Sequence, residues 1–461
     1  MALLLRRLWR VVPLRLFVVF LAVYGLTAGV SLSHHSLAPH FVYMAESFLH
    51  GHLDLIHVPD PPYDLTPFEG HWYISFPPLP ALLMLPLVAI RGLAVSDVAF
   101  SVALGALSVS LFYVVLTCLG DIGVGDLGLG IWLSILLGLG TPLWYCAALG
   151  SVWYTAHVVA VTCLCLYLLE VVGQNRPVLA GLWLGLGFLA RAPVLLAFPL
   201  SLVLGHWKGQ SLREAARFLL LFALGMAPAL LGQAAYNWAR FDNPLEFGYR
   251  WMSSPGPLLE RQETWGQFSL HFLPENIYTL LIRPPLVSLS PFRIEPDPWG
   301  MGLLLACPAL LLALSTLRSE QGGMFAKVTN NPGDGAIPGG RGCFQPESRC
   351  QTFARVAGCL RWRDSLRLGL WLSIALVQLP SLLYFNTGSY QFGYRFALDW
   401  MPLGVLLVAL GAGERSHWWW GKALIILSAL MHLWGVLWMY PNFNGQLWHL
   451  QYIQLLHHLP R

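Results

Sequence analysis

The chain has 461 residues, of which 56% are hydrophobic and only 11% charged. A soluble globular protein carries about a quarter charged residues. With a mean hydropathy of +0.59, the composition excludes an ordinary soluble domain and points to an all-α polytopic membrane protein. The net charge of +4 comes without any dense Lys/Arg run, so no nucleic-acid partner is expected.

Arg6, Arg7, Arg10 and Arg15 lead into an apolar run from Leu16 to Leu32. The run is long for a signal-peptide core, and no small-x-small cleavage site follows it, so it reads as an uncleaved first span. Positive charge stays on the cytoplasmic side, which puts the N-terminus inside and brings the chain out near Ser33. The first outside loop, 33–96, holds Glu46, Asp54, Asp60, Asp64 and Glu69, with Asp97 at its end, and the histidines His34, His35, His40, His50, His52, His57 and His71. Within it, Phe76 to Gly92 is apolar enough to resemble a span. Crossing there would flip every later loop and place the basic loops 206–217 and 318–367 outside, against the charge rule. Pro77, Pro78, Pro80 and Pro86 also break the segment. It is therefore expected to enter or skim the outer leaflet and return.

Further spans are expected at 97–118, 127–141, 152–172, 178–190, 192–206, 216–238, 298–317, 367–386, 397–412 and 422–439. That makes about eleven transmembrane helices, with the C-terminus outside. The organisation is then a transmembrane domain over 1–317 with outside loops 33–96 and 239–297, a flexible cytoplasmic insertion over 318–366, C-terminal helices over 367–440 and a short outside tail over 441–461. The insertion is rich in Gly and Pro and too poor in apolar residues to fold well. Cys118, Cys146, Cys163, Cys165 and Cys307 lie in or beside apolar runs and read as small core residues. The spacing of Cys343, Cys350 and Cys359 is unlike a zinc site.

Charges at a membrane are costly, so their placement carries information. Outside the basic loops, the acids and arginines gather on the outer face. Loop 239–297 adds Arg240, Asp242, Glu246, Arg250, Glu260, Arg261, Glu263, Arg283, Arg293 and Glu295, and a late outside turn adds Tyr394 and Arg395. A carboxylate suits proton removal from an acceptor, and an arginine suits a leaving phosphate. A solvated outer surface is the plainer reading of the same charges. His50-Gly51-His52 and His34-His35 could chelate a metal, but they serve equally well as interfacial or capping residues. Trp418-Trp419-Trp420 beside Lys422 reads as an interfacial anchor.

Several stretches resemble the GT-C superfamily, membrane glycosyltransferases that use polyprenyl-phosphate-linked sugars, such as protein O-mannosyltransferases and aminoarabinose lipid A transferases. Tyr43 to Leu53 resembles the start of their first outside loop. Gly70-His-Trp-Tyr73 with Phe76-Pro-Pro-Leu79 resembles a segment ending in a non-crossing helix on the outer membrane face. Gly140 to Tyr145, Leu189 to Pro193, Tyr236 to Phe241, Pro244 to Tyr249 and Gly388 to Arg395 are similar to further parts of the pattern, in the same order. One position departs. Family members place an Asp or Glu about three residues before the Tyr; here His40 stands there, and no acid occurs between Met1 and Met44.

The resemblance implies a bacterial inner-membrane enzyme that transfers a sugar, with inversion, from a polyprenyl-phosphate donor to a lipid, protein or glycan acceptor at the outer face. The base candidates are Glu46 and Asp64, then Asp60, with His40 itself as another option. Arg191, Arg250 and Arg395 are the candidates for the carrier phosphate, and Tyr43, Tyr73 and Tyr394 for substrate contact. Segment 76–92 would guide the lipid tail. No metal site is assigned, although some family members recruit a divalent cation at the acids. The rival expectations are a membrane carrier or flippase for a lipid or small molecule, and an inactive protein that keeps the fold. Against the carrier, there is no internal repeat, and the charges lie on one face rather than at mid-membrane.

Overall fold

The computed structural model describes residues 11–60, 62, 64–119, 127–208, 211–252, 256–317, 347–412 and 418–444. Arg6, Arg7 and Arg10, most of the expected insertion with Cys343, and the tail from 445 lie outside the described residues, as do the side chains of Cys350 and Cys359.

The chain is mostly helical. Helix α1 (Val12–Ala28) starts with Pro13 in its first turn and ends at Gly29, whose φ of 54° leaves the helical region. It buries Leu16, Phe20, Tyr24 and Ala28, one face at helical spacing, and exposes Val18, Val19 and Leu26. An exposed apolar face opposite a packed one is what a lipid-facing helix requires. Helix α2 (His40–Leu49) opens the outside loop. Strands β1 (Leu65–Phe68) and β2 (His71–Ile74) then pair antiparallel, Leu65 opposite Ile74. Glu69 and Gly70 supply the two positive-φ positions of the tight turn between them.

Helix α3 (Leu79–Arg91) has 13 residues, about 20 Å of rise against a hydrocarbon core of about 30 Å. It buries Leu79, Met84 and Val88 and exposes Leu82, Leu83, Leu87 and Ile90. Its length and apolar outer side suit a helix lying along the membrane.

Helices α4 (Asp97–Thr117), α5 (Leu127–Leu139), α6 (Leu143–Leu149), α7 (Val152–Leu168), α8 (Pro177–Phe188), α9 (Pro199–Lys208) and α10 (Leu212–Phe241) follow. Helix α7 is buried on nearly all sides and forms the centre of the bundle. Helices α8 and α10 meet backbone to backbone: a Cβ on Gly181 would lie 1.9 Å from the Phe222 carbonyl oxygen, and one on Gly225 2.0 Å from that of Val178. Helix α10 begins with a capping box of Ser211 and Glu214. Its 30 residues rise about 45 Å, longer than a hydrocarbon core of about 30 Å, and its last turns carry Tyr236, Asn237 and Arg240, the last bonded to the Ile74 carbonyl of β2 at 2.8 Å.

The second outside segment holds α11 (Gly256–Trp265), α12 (Leu273–Leu281) and a hairpin of β3 (Leu286–Leu289) with β4 (Phe292–Glu295). Then come α13 (Leu303–Ala306), a 3-10 stretch Pro308–Leu317, α14 (Glu347–Leu383), α15 (Met401–Ala412) and α16 (Trp419–Asn444).

Among the described residues, six helical segments are long and apolar enough to cross a membrane: Val12–Ser33, Asp97–Thr117, Val152–Gln174, Leu212–Phe241, Trp362–Leu383 and Trp419–Met439. There are seven if the pair Gly128–Leu139 and Leu143–Leu149, bent by 54°, is one span. The expected spans 178–190, 192–206, 298–317 and 397–412 correspond only to the shorter apolar helices Pro177–Phe188, Ala192–Gly205, Pro308–Leu317 and Met401–Ala412. The physical reason is the helix breakers: Arg191 to Pro193 divides one pair of segments, and Pro308 shortens another.

Candidate functional site

Asp64 sits at the root of the β1–β2 hairpin with φ of 50°. That left-handed turn aims its carboxylate back towards the bundle, where Trp153 Nε1 donates a hydrogen bond at 2.5 Å. Trp153 is the second residue of α7 and follows a turn at Gly150 and Ser151, both with positive φ. The turn is fixed from the first outside loop. Asp97 accepts bonds from the Ser36 hydroxyl, the Ser36 backbone N–H (2.8 Å) and the Ser151 N–H (3.2 Å), and Val152 N–H donates to the Ala38 carbonyl at 2.9 Å. Asp97 thus clamps both ends of the surroundings of Asp64. Asp64 keeps some contact with solvent yet is densely enclosed. Burial pushes its carboxyl up to about 6, against the Trp153 hydrogen bond and the charge of Arg395.

Arg395 comes from the turn Arg395–Asp399 ahead of α15. Gln391 holds that turn: its amide nitrogen donates to the Trp299 and Thr387 carbonyls, and its oxygen accepts from the Arg395 N–H. Arg395 is 7% exposed. Nη1 donates to the Gly388 and Ser389 carbonyls at 2.7 Å each, while Nε is buried with no hydrogen-bond partner. It lies over the Tyr154 ring at 5.7 Å and the Phe396 ring at 5.2 Å. No carboxylate is in ion-pair contact with it among the described residues. Its charge acts on Asp64, Tyr145 and Tyr384. The Tyr145 hydroxyl and Ser389 Oγ are likewise buried without partners. Buried donors without acceptors are costly, and grouped around an unneutralised guanidinium they suit an anion.

Beside this lies a second, closed group. Arg191 grips Asp399 with two bonds, Nε at 3.1 Å and Nη2 at 2.9 Å, and His157 Nδ1 bonds the same carboxylate at 2.9 Å. Arg191 is 5.4 Å from the Phe396 ring, so Phe396 neighbours both arginines. Tyr249 feels Arg191, Asp64 and Asp399 together, and burial pushes its phenol up to about 12. Tyr384 feels Asp64, Arg191 and Arg395.

Among the sequence candidates, the structure brings together Asp64, Arg191 and Arg395, but in different states. Arg191, a candidate for the carrier phosphate, has its charge paired with Asp399. Glu46 is elsewhere, bonded to the exposed His57 at 2.8 Å, and Asp60 is exposed on the surface. Arg250 is exposed, 5.0 Å from the Trp251 ring. Tyr394 is fully buried, packed edge-on against Phe396, so it is a core residue rather than a contact surface. His40 is buried in the first turn of α2. Tyr43 is half-buried beside His35. Tyr73 belongs to a neighbouring aromatic cluster with Phe241 and the buried Arg240, which lies 3.7 Å from the Tyr236 ring.

Of the remaining loop acids, Asp54 pairs with two histidines. Asp54 accepts from His71 at 2.8 Å and from His52 at 3.2 Å. Burial would raise its carboxyl, but the two imidazole hydrogen bonds prevail and hold it below the usual range. Among the described residues, no group of three or more His, Cys, Asp or Glu is arranged to hold a metal ion.

Sequence reasoning missed His157 and Asp399. Both fell inside expected spans, and a charged side chain in a span was the signal that could have found them. No family model, curated protein or solved structure matches the chain.

Proposed function

We propose that the protein is a membrane glycosyltransferase that moves a sugar from a polyprenyl-phosphate-linked donor to an acceptor at the outer face of a bacterial inner membrane. What supports this reading is a carboxylate held by Trp153 and raised by burial to about 6, within electrostatic reach of a buried arginine that has no ion-pair partner among the described residues. Near neutral pH, Asp64 is mostly ionised and still basic enough to take a proton, which is the tuning a general base needs. In the proposed step, the acceptor hydroxyl attacks the anomeric carbon while its proton passes to the Asp64 carboxylate. The bond from that carbon to the phosphate oxygen breaks, and the electron pair leaves with the phosphate. Arg395 holds that charge with its unused N–H groups, and the Tyr145 hydroxyl and Ser389 Oγ stand by as further donors. Asp399, fixed by His157, keeps Arg191 in position beside them.

Counting the bent pair and the four shorter helices as spans gives the eleven-span topology with the N-terminus inside. In that topology, α3 lies along the outer leaflet and its exposed leucines offer a path for the lipid tail. The test is binding of polyprenyl phosphate, with polyprenol as the comparison. The phosphate should raise the thermal midpoint of the detergent-solubilised protein and polyprenol should not, and Arg395→Gln should remove the difference. Equal stabilisation by both lipids, or an undiminished effect in the variant, would exclude Arg395 as the phosphate site.

A further inference from the structure

The β3–β4 hairpin carries an apolar face that nothing in the protein covers. Residues paired across an antiparallel hairpin share a face, and successive pairs alternate. The register pairs Val287 with Ile294 and Leu289 with Phe292 on one face, and Leu286 with Glu295 and Ser288 with Arg293 on the other. The first face is wholly apolar and open: Val287 is 57% exposed, Leu289 82%, Phe292 69% and Ile294 49%. In water such a hairpin would expose its apolar face and hide nothing.

The helix that leads into it also turns apolar residues outward. Helix α12 buries Asn276 and Thr279 together with Leu280, and exposes Ile277, Tyr278 and Leu281, followed by exposed Ile282. A helix that keeps an amide and a hydroxyl inside and leaves an isoleucine, a tyrosine and a leucine outside suits an apolar surrounding.

Its position fits. Asn276 donates to the Leu382 and Tyr384 carbonyls at 3.0 and 2.9 Å, and Ser269 N–H donates to the Leu383 carbonyl at 2.8 Å. Helix α12 is thereby bonded to the end of the candidate span Trp362–Leu383, whose outer side exposes Leu368, Leu372, Leu376 and Leu379. The root of the hairpin is closed by Arg283 on Asp297 at 2.6 Å and by Gly302 N–H on the Arg283 carbonyl at 2.9 Å. The next residue, Leu303, starts α13, where Leu304 and Leu305 are exposed. Each strand is about 13 Å long, so the apolar tip stays close to the level at which these helices meet lipid. Exposed apolar residues thus flank the hairpin on both sides, on the candidate span Trp362–Leu383 and on α13.

We propose that α12 and the β3–β4 hairpin are set into the outer leaflet, with Val287, Leu289, Phe292 and Ile294 among lipid acyl chains and Ser288, Arg293 and Glu295 turned to the headgroups. The placement does not depend on the catalytic reading.

The test incorporates the photoreactive residue p-benzoylphenylalanine at position 292, and separately at 288, in the full-length protein reconstituted into phosphatidylcholine vesicles. Both positions are exposed, so neither replacement disturbs packing. Irradiation should give lipid adducts at 292 at least several-fold above those at 288. Equal adducts at the two positions would overturn the placement. So would adducts at 292 to a second copy of the chain without lipid adducts, which would assign the face to self-association.

Discussion

Asp64→Asn should cost activity and add stability, and the two effects follow from one fact. Burial pushes the Asp64 carboxyl from 3.8 to about 6. The native state therefore holds that proton more tightly than the unfolded chain. A raised pKa contributes stability that is fully present below about pH 4 and is lost as the pH rises through about 6. The rise corresponds to about 3 kcal/mol, and partial contact with solvent trims this to about 2 kcal/mol. At pH 8 the ionised carboxylate costs the native state that amount. Asparagine carries no charge, and its carbonyl oxygen can still accept from Trp153. The variant should then be more stable than the parent at pH 8 by about 2 kcal/mol, with the difference shrinking through pH 6 and vanishing near pH 4. Loss of a general base should lower turnover about 10²- to 10⁴-fold, and turnover of the parent should climb with pH to a plateau above about 6. The assay is sugar transfer from a labelled polyprenyl-phosphate donor in proteoliposomes, beside thermal unfolding in detergent at pH 5 and pH 8. A variant that is less stable at pH 8, or that turns over within a few-fold of the parent, would refute the assignment. A purely structural aspartate would lose stability on the same substitution.

Arg395→Lys keeps a charge but loses the fork of N–H groups, and should weaken phosphate binding about 10- to 100-fold, read as the shift in the polyprenyl phosphate titration. Asp399→Asn breaks the twin bonds to Arg191 and leaves a largely buried guanidinium uncompensated, so it should destabilise the protein by about 3–5 kcal/mol, measured by thermal or denaturant unfolding. Glu46→Gln should leave transfer within a few-fold of the parent and change stability by less than about 1 kcal/mol, because its partner is a surface imidazole; a large loss of transfer would return Glu46 to the list of bases.

The membrane class was readable because it rests on long apolar runs, a local property of the chain. Where helix breakers intervene, as at Arg191 to Pro193, the same reading overstated how far each segment extends. Side-chain roles depended on distance in sequence. Asp64 and Glu46 look alike as loop acids; what separates them is Trp153, 89 residues beyond Asp64. Arg191 looks like a free cation until Asp399, 208 residues on, is folded against it. Tyr394 stands in a polar turn and was expected at a surface, yet Gln391 pulls that turn inward by binding the Trp299 and Thr387 carbonyls. The hairpin that aims Asp64 has its only clear local sign in Gly70.

The resemblance to GT-C enzymes implies an acid near position 40, where this chain has His40, and the local geometry suggests how Asp64 could supply the missing function. The Ala38 carbonyl accepts from the Val152 N–H, so the start of α2 lies one residue from Trp153, whose indole holds Asp64. The outside loop leaves the start of α7 near residue 38 and comes back to it at residue 64. An acid offered from the root of a hairpin reaches the same neighbourhood as one offered from the first turn of a helix. The difference lies in support. A helix-borne acid is positioned by its own turn, whereas Asp64 depends on a left-handed backbone, the Trp153 bond and the Asp97 clamp on Ser36 and Ser151. On this reading, the catalytic role moves along the loop while the place it serves, the start of α7 facing Arg395, stays fixed. Asp97 is then the positioning residue on which that arrangement depends.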